Sequence, residues 1–301
     1  PKYWNPEGMA VGWYYVTATP LDRGVFEKKL AASNPEEREA LAELERVWSA
    51  HVFPGGYTHS IPHYERVLRE GLNGFDERVR KGLQTASSER DSRAGFFRAM
   101  NTTLETARII HKRIVDEIEG FVPEDEQQRR NRDALLAALR VVPFGPAEQF
   151  FDALVATNFT FYFDGCDDLG RFDQFLRPYF ERSSAEGELS HDRAVELVRA
   201  QWENVNAATA WNAAIGGTKP DGTDLSSELT IVCIEAARGM RRPNLALRLG
   251  PSTPDSVWEA ALDTIVSGCG LPALYWDPNY YRAMDASGIP LPVEERHEYA
   301  F

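Results

Sequence analysis

Asn244-Leu-Ala-Leu-Arg-Leu249, then Thr253-Pro254 at the head of a helical pattern running to about Val266, then Pro272-Ala-Leu-Tyr-Trp276 feeding into Asp277-Pro278: this stretch decides the fold. The two short apolar runs read as buried strands, and Asp277-Pro278 opens a further helix closed by Gly288. Strand, helix, strand at this spacing is a βαβ unit. It requires a parallel sheet under a coat of helices.

Working toward the N-terminus, helical signals dominate. Ser190, Ser226 and Thr253 with Pro254 are N-cap candidates for helices running to about Val205, Arg238 and Val266. Pro146 opens a helix whose apolar residues wrap nearly all round, the mark of full burial. Gln127 to Val141 reads as helix. From Gly95 to Ile118, Phe97, Met100, Leu104, Ala107, Ile110, Ile114 and Ile118 recur every three or four residues, which gives a long amphipathic helix. Asn34, Pro35 and Glu37 form a capping box ahead of an apolar stripe of Leu41, Leu44, Val47 and Trp48. Residues 1–32 read as irregular, with one short strand around Gly12 to Thr17, 33–205 as mainly helical, and 206–301 as helices with strands. No repeat or composition shift divides the chain, so 1–301 is expected to be part of one domain.

Composition narrows the function classes. In 301 residues, 43% are hydrophobic and 26% charged, which suits a globular chain with a sizeable core. Phe150 to Phe163 is broken by Asp152, Asn158 and Thr160, too short for a bilayer span of roughly 20 apolar residues. A formal charge of −13 opposes binding to nucleic acid, whose affinity comes largely from Lys and Arg. Cys166, Cys233 and Cys269 make no metal-ligand spacing, and a reducing, cytoplasmic compartment is expected. The six histidines form no HExxH, and neither a phosphate-binding glycine loop nor a GxSxG elbow occurs. Gly216-Gly217 reads as a turn-forming connection. The first residues carry no signal-peptide pattern, and the chain reads as trimmed at its front.

One segment stands out chemically: Phe159-Thr-Phe-Tyr-Phe-Asp164-Gly165-Cys166-Asp167-Asp168-Leu-Gly170-Arg171-Phe-Asp173-Gln174. An apolar helix delivers carboxylates and a thiol to its end, where they must be paired, hydrogen-bonded or protonated. Such clusters make acid/base or substrate-orienting sites. The same residues also fit an ordinary solvated turn, with Arg171 pairing Asp173 or Asp168 and Cys166 a small buried hydrophobe. His59, close to a helix start, is open to the same two readings, ligand contact or structural histidine.

Four stretches in order resemble the glycyl radical enzymes, the pyruvate formate-lyase-like superfamily. They are Thr58-His59 with Pro62-His-Tyr-Glu-Arg-Val67-Leu68 and Gly71-Leu72; Gly170-Arg171-Phe172-Asp173-Gln174 with Pro178-Tyr179; Ile215-Gly216-Gly217 with Asp221-Gly222 and Ser227-Glu228-Leu229; and Gly270-Leu271-Pro272 with Gly288-Ile289 and Glu298-Tyr299-Ala300-Phe301. The resemblance implies an α/β fold, a helix-rich shell carrying the first half of a ten-stranded pyruvate formate-lyase-like barrel.

It also implies a lyase or dehydratase that cleaves a C–O, C–N, C–C or C–S bond of a small polar substrate through a cysteine thiyl radical. No tightly bound cofactor is implied. A glycyl radical, installed by a separate S-adenosylmethionine iron-sulfur activating enzyme, resides near the C-terminus of such proteins, which are expected to be homodimers working anaerobically. The radical cysteine follows a Tyr-Ala pair like Tyr299-Ala300, so both it and the radical glycine are expected beyond residue 301, and no catalytic residue is expected within these 301. By position, Cys166, Asp167, Asp168, His59, Trp211 and Asn212 are the expected substrate-binding residues, with Ala210 making room where relatives often carry an aromatic. A formate C-acetyltransferase-type acyltransferase is the alternative enzyme, although Asp167 and Asp168 would repel an anionic 2-oxoacid. A non-catalytic half barrel serving as a binding module is the other alternative. Its exposed edges and apolar surface lead us to expect a continuation or a partner chain.

Overall fold

The computed structural model describes residues 3–6, 10–12, 14, 31, 34–42, 61–86, 92–165, 168–208, 210–288 and 290–298. The chain forms two units, Val16–Ser60 and the remainder. In the smaller one, a helix over residues 35–42 begins at Asn34. The Glu37 amide donates to Asn34 Oδ1 at 2.9 Å, and the Asn34 amide to Glu37 Oε2 at 3.1 Å, the reciprocal pair expected from the capping-box pattern. Of its expected apolar stripe, Leu41 alone falls within the described residues.

The larger unit opens with four helices: α1 (Tyr64–Thr85), α2 (Ser92–Glu119), α3 (Glu126–Leu139) and α4 (Phe150–Asp164). Helix α2 buries Leu104, Ala107, Ile114 and Ile118, the stripe its periodicity dictates. Helix α4 is buried from Ala153 through Phe161, as its unbroken apolar surface requires. It starts four residues after Pro146. The Ala147 amide donates to Leu68 O, tying this segment to α1, and Gln149 makes the N-cap together with Asp152.

A parallel sheet follows, in the order β1 (Asp168–Arg171), β2 (Asn212–Gly216), β3 (Asn244–Leu249) and β4 (Ala273–Trp276). Helices α5 (Phe172–Ala185) and α6 (His191–Ala207) connect β1 to β2; α7 (Glu228–Ala236) and α8 (Asp255–Thr264) make the next two crossovers, and α9 (Asp277–Ser287) follows β4. The βαβ reading of the tail holds, with β3 pairing β4 in parallel. Ser227, one residue after the expected Ser226, caps α7. The strands β1 and β2 were not legible as strands: each is short and glycine-bearing, and β1 lies within the stretch read as mainly helical.

Side chains alternate across the sheet. Leu169, Ala213, Ile215, Leu245, Leu247 and Leu249 join one hydrophobic core with Trp202, Leu229, Val232 and Val257 from the helices. Phe172 packs on Trp202, ring centroids 4.6 Å apart, and the indole N–H donates to Cys233 O. The alternate rows are small or polar: Asp168, Asn212 and Asn244 lie in register, as do Gly216, Arg248 and Tyr275. In β1, Asp168 faces Asn212 while Arg171 faces Ala214, so one extra residue forms a bulge. Gly170 supplies it, with φ +59°, and a Cβ there would lie 2.8 Å from Ile61.

Candidate active site at the first strand

The bulge brings two distant segments together. Tyr64, at the start of α1, donates its hydroxyl to Asp168 O at 3.1 Å, while Ile61 packs over Gly170. Between them opens a cavity of about 450 Å³, lined among others by His63, Tyr64, Gly170, Arg171 and Gln174. That volume is within the range of small-molecule pockets. Asp168 is half-buried and turns its Oδ1 onto the Gly170 amide at 2.7 Å, which stabilises the bulge.

Of the expected substrate-binding residues, Asp168 and Asn212 are neighbours in register at the first residues of β1 and β2. Asn244 extends the row, its side-chain amide donating to Asn212 Oδ1 at 2.9 Å. Trp211 stands beside the row, half exposed. Asn212 is half-buried. His59, Cys166 and Asp167 lie outside the described residues. Ile61 lines the cavity just described, whereas Asp168, Trp211 and Asn212 are not among its lining residues.

Two buried carboxylates that are not among the expected substrate-binding residues build the frame. Asp173 is fully buried in the first turn of α5. It accepts from the Gly216 amide at 2.8 Å, Thr230 Oγ1 at 2.5 Å and Gln174 Nε2 at 3.0 Å, so it joins α5 to β2 and α7. Burial pushes its carboxyl above the usual range, against the pull of those three donors and the Arg171 charge. Cys233 on α7 is buried as well; desolvation, reinforced by the Asp173 charge, pushes its thiol up and away from the thiolate that nucleophilic chemistry needs.

Asp277 and Arg248 form the second buried centre, each fully enclosed. Arg248 donates from Nε and Nη2 to the two Asp277 oxygens at 2.9 and 3.1 Å, the planar fork geometry that arginine favours. Asp277 Oδ2 also accepts from the Thr218 amide at 2.6 Å, and Arg248 Nη1 donates to His297 O at 2.9 Å. These donors and acceptors are satisfied within the fold, so the pair holds the ends of β2, β3 and β4 rather than a ligand. One signal was available for it: an arginine inside the apolar run of β3. Arg171, for its part, pairs with neither Asp168 nor Asp173. Its Nη1 meets Glu298 Oε2 at 2.8 Å, in the final turn, Val293–Glu298.

Among the described residues no group of three or more His, Cys, Asp and Glu is arranged to hold a metal, and no helix is long and apolar enough to cross a membrane. The site is therefore a polar row and a cavity on a parallel sheet, a shape that can orient a small polar molecule.

Comparison with known proteins shows where this architecture recurs. The isethionate sulfite-lyase of Desulfovibrio desulfuricans is 26% identical over 80% of this chain and 32% of its own length. The (2S)-3-sulfopropanediol dehydratase of Klebsiella oxytoca is 24% identical over 85% of this chain and 34% of its own. The glycerol-bound B12-independent glycerol dehydratase of Clostridium butyricum shares the fold, with a TM-score of 0.72 over 92% of this chain and 43% of its own, at 18% identity. The chain thus spans about a third of the length of the curated relatives it matches. The model of the pyruvate formate lyase-like family matches residues 26–301. Since that match takes in all four parallel strands and the cavity beside the first, the chain belongs to the pyruvate formate lyase-like family of glycyl radical enzymes.

Proposed function

We propose that these residues form the first part of the barrel of a glycyl radical lyase or dehydratase acting on a small polar substrate. The similarity to a sulfite-lyase and a dehydratase over four-fifths of the chain carries the reading, and it favours C–S or C–O bonds among those considered. The radical glycine and thiyl cysteine are supplied by sequence outside these 301 residues, and they provide the one-electron attack that starts bond cleavage. What this chain supplies is orientation. Asp168 and Asn212 face the substrate in this reading, and the family resemblance adds His59, Cys166, Asp167 and Trp211 to the substrate-binding set. Carboxylate and amide oxygens accept its hydroxyl protons and hold the reacting bond in place, and enclosure keeps water out. A homodimer in an anaerobic cytoplasm, activated by a separate radical S-adenosylmethionine enzyme, completes the proposal.

The test uses the full-length protein with an activating enzyme, under anaerobic conditions. A glycyl doublet in electron paramagnetic resonance, followed by turnover of isethionate, 3-sulfopropanediol or glycerol, is expected. Absence of the doublet in a folded, activator-exposed protein refutes the reading. Asp168→Asn keeps the acceptor for the Gly170 amide but loses its charge. It should therefore lower kcat/KM by about tenfold to a hundredfold with little change in folding, and wild-type kinetics would remove Asp168 from the site.

A further inference from the structure

The last described turn, Val293–Glu298, is gripped at consecutive residues by arginines from two different strands. Arg248 on β3 donates to His297 O at 2.9 Å, and Arg171 on β1 pairs with Glu298 at 2.8 Å. The inner grip is rigid, because Arg248 is itself fixed by Asp277 in full burial. The outer grip is different in kind. Arg171 is mostly covered, Glu298 is 56% exposed, and the Glu298 carboxylate also meets His297 Nε2 at 2.9 Å. A third tie, Arg296 to Asp285, links the turn to α9.

The turn so held is a partition. His297 lines the cavity of about 450 Å³ beside β1, and it also lines a second cavity of about 400 Å³ bounded by Lys219, Asp221, Val293 and Glu294. Glu298 lines the first alone. Displacing the turn would therefore reshape the first cavity from its far wall.

We propose that Arg171 and Arg248 are positioning residues that clamp His297 and Glu298, so that the wall of the β1 cavity and the start of the chain leaving it are fixed with respect to the sheet. The inference rests on the functional reading above, under which that outgoing chain leads to the radical cysteine. Neither arginine touches substrate in this role. Their effect on the reaction comes through placement, where an error of about 1 Å costs on the order of a hundredfold in rate.

Two measurements on the full-length protein decide it, and Glu298→Ala is the first variant because its half-exposed side chain can be removed without disturbing the core. Hydrogen exchange of the peptide covering residues 293–298 should quicken about tenfold in this variant, while α1 and β3 keep their wild-type rates. The reversed pair, Arg171→Glu with Glu298→Arg, should return exchange to near the wild-type rate. In the radical-bearing protein Glu298→Ala should leave the glycyl doublet at full amplitude and lower kcat about tenfold or more with a smaller change in KM, a split that general destabilisation does not produce. Unchanged exchange overturns the clamp. Faster exchange with undiminished kcat overturns the positioning role. If the wild type forms no radical, the functional reading falls and the positioning role with it, while exchange alone still decides whether the clamp exists.

Discussion

Arg248 and Asp277 show how a single residue pair can hold three strand ends. Two charges removed from water are expensive to bury, and here the cost is offset by a forked ion pair plus the Thr218 amide and His297 carbonyl. Asp277→Ala leaves the guanidinium buried without its counter-charge and should cost about 3–5 kcal/mol, measured as a shift of the denaturation midpoint. Arg248→Met combined with Asp277→Leu should recover more than half of that loss, since neither charge is then stranded; a double variant no better than the single one would contradict this account. Gly71 makes a second case. Its φ of +64° kinks α1, and an added Cβ would fall 2.1 Å from Phe144 O. Gly71→Ala is therefore expected to destabilise by about 1–3 kcal/mol from backbone strain, before any clash, in the same denaturation assay. The contacts at these two sites were not legible in the sequence, although an arginine inside the apolar run of β3 was a signal for the first. Asp277 was legible as the residue opening a helix, and nothing in the spacing linked it to an arginine 29 residues earlier. Asp168 and Asn212 were legible as site candidates from the resemblance, and their juxtaposition depends on a strand register that the sequence does not write down.

At the scale of elements, legibility followed length and period. Helix α2 was clear because its stripe recurs at seven positions over about six turns, and β3 and β4 were clear because apolar residues run between strong turn and cap signals. The strand β1 was hidden because a bulge occupies one of its four residues and acidic residues precede it. The start of α4 was misplaced because Pro146 suits the first turn of a helix, whereas the Ala147 amide is used for a tertiary bond to Leu68. The contact between α6 and α7 carries a pH dependence of its own. His191 opens α6 and sits between two acids of α7, with Nε2 2.7 Å from Glu235 and Nδ1 3.5 Å from Glu228. The Glu235 hydrogen bond raises the imidazole above its ordinary 6.5, partial burial opposes, and Glu228 adds to the rise. A raised folded-state pKa stabilises the charged form. The contribution is therefore full below the unfolded value of 6.5 and is lost as pH climbs through the raised folded value. The protection of the α7 amides, exchange taken relative to the unprotected rate at each pH, should fall over that window in the wild type and stay constant in His191→Gln. Equal pH profiles for the two proteins would show that the contact contributes nothing.

For the whole molecule, apolar side chains remain exposed on the last strand of the sheet and beside it. Leu274 and Trp276 on β4 remain 44% and 38% exposed, and on the neighbouring α8 crossover Leu262 is half exposed and Val266 83% exposed. Parallel sheets in α/β proteins are covered on both faces, and exposed apolar strand edges invite association. The proposed function supplies a reason for the exposure: a barrel half needs its remaining strands. The 301-residue chain alone should accordingly bind an apolar dye such as anilinonaphthalene sulfonate, and the full-length polypeptide should bind markedly less per molecule. Leu274→Lys with Val266→Glu should reduce dye binding in the short chain by removing two of its exposed apolar side chains. The same pair in the full-length protein should impair folding, because there the charges would be buried against the added strands. If instead the long and short proteins bind dye equally, and the full-length protein tolerates both charges without loss of stability, β4 is a free edge in the complete molecule and the sheet does not continue past it.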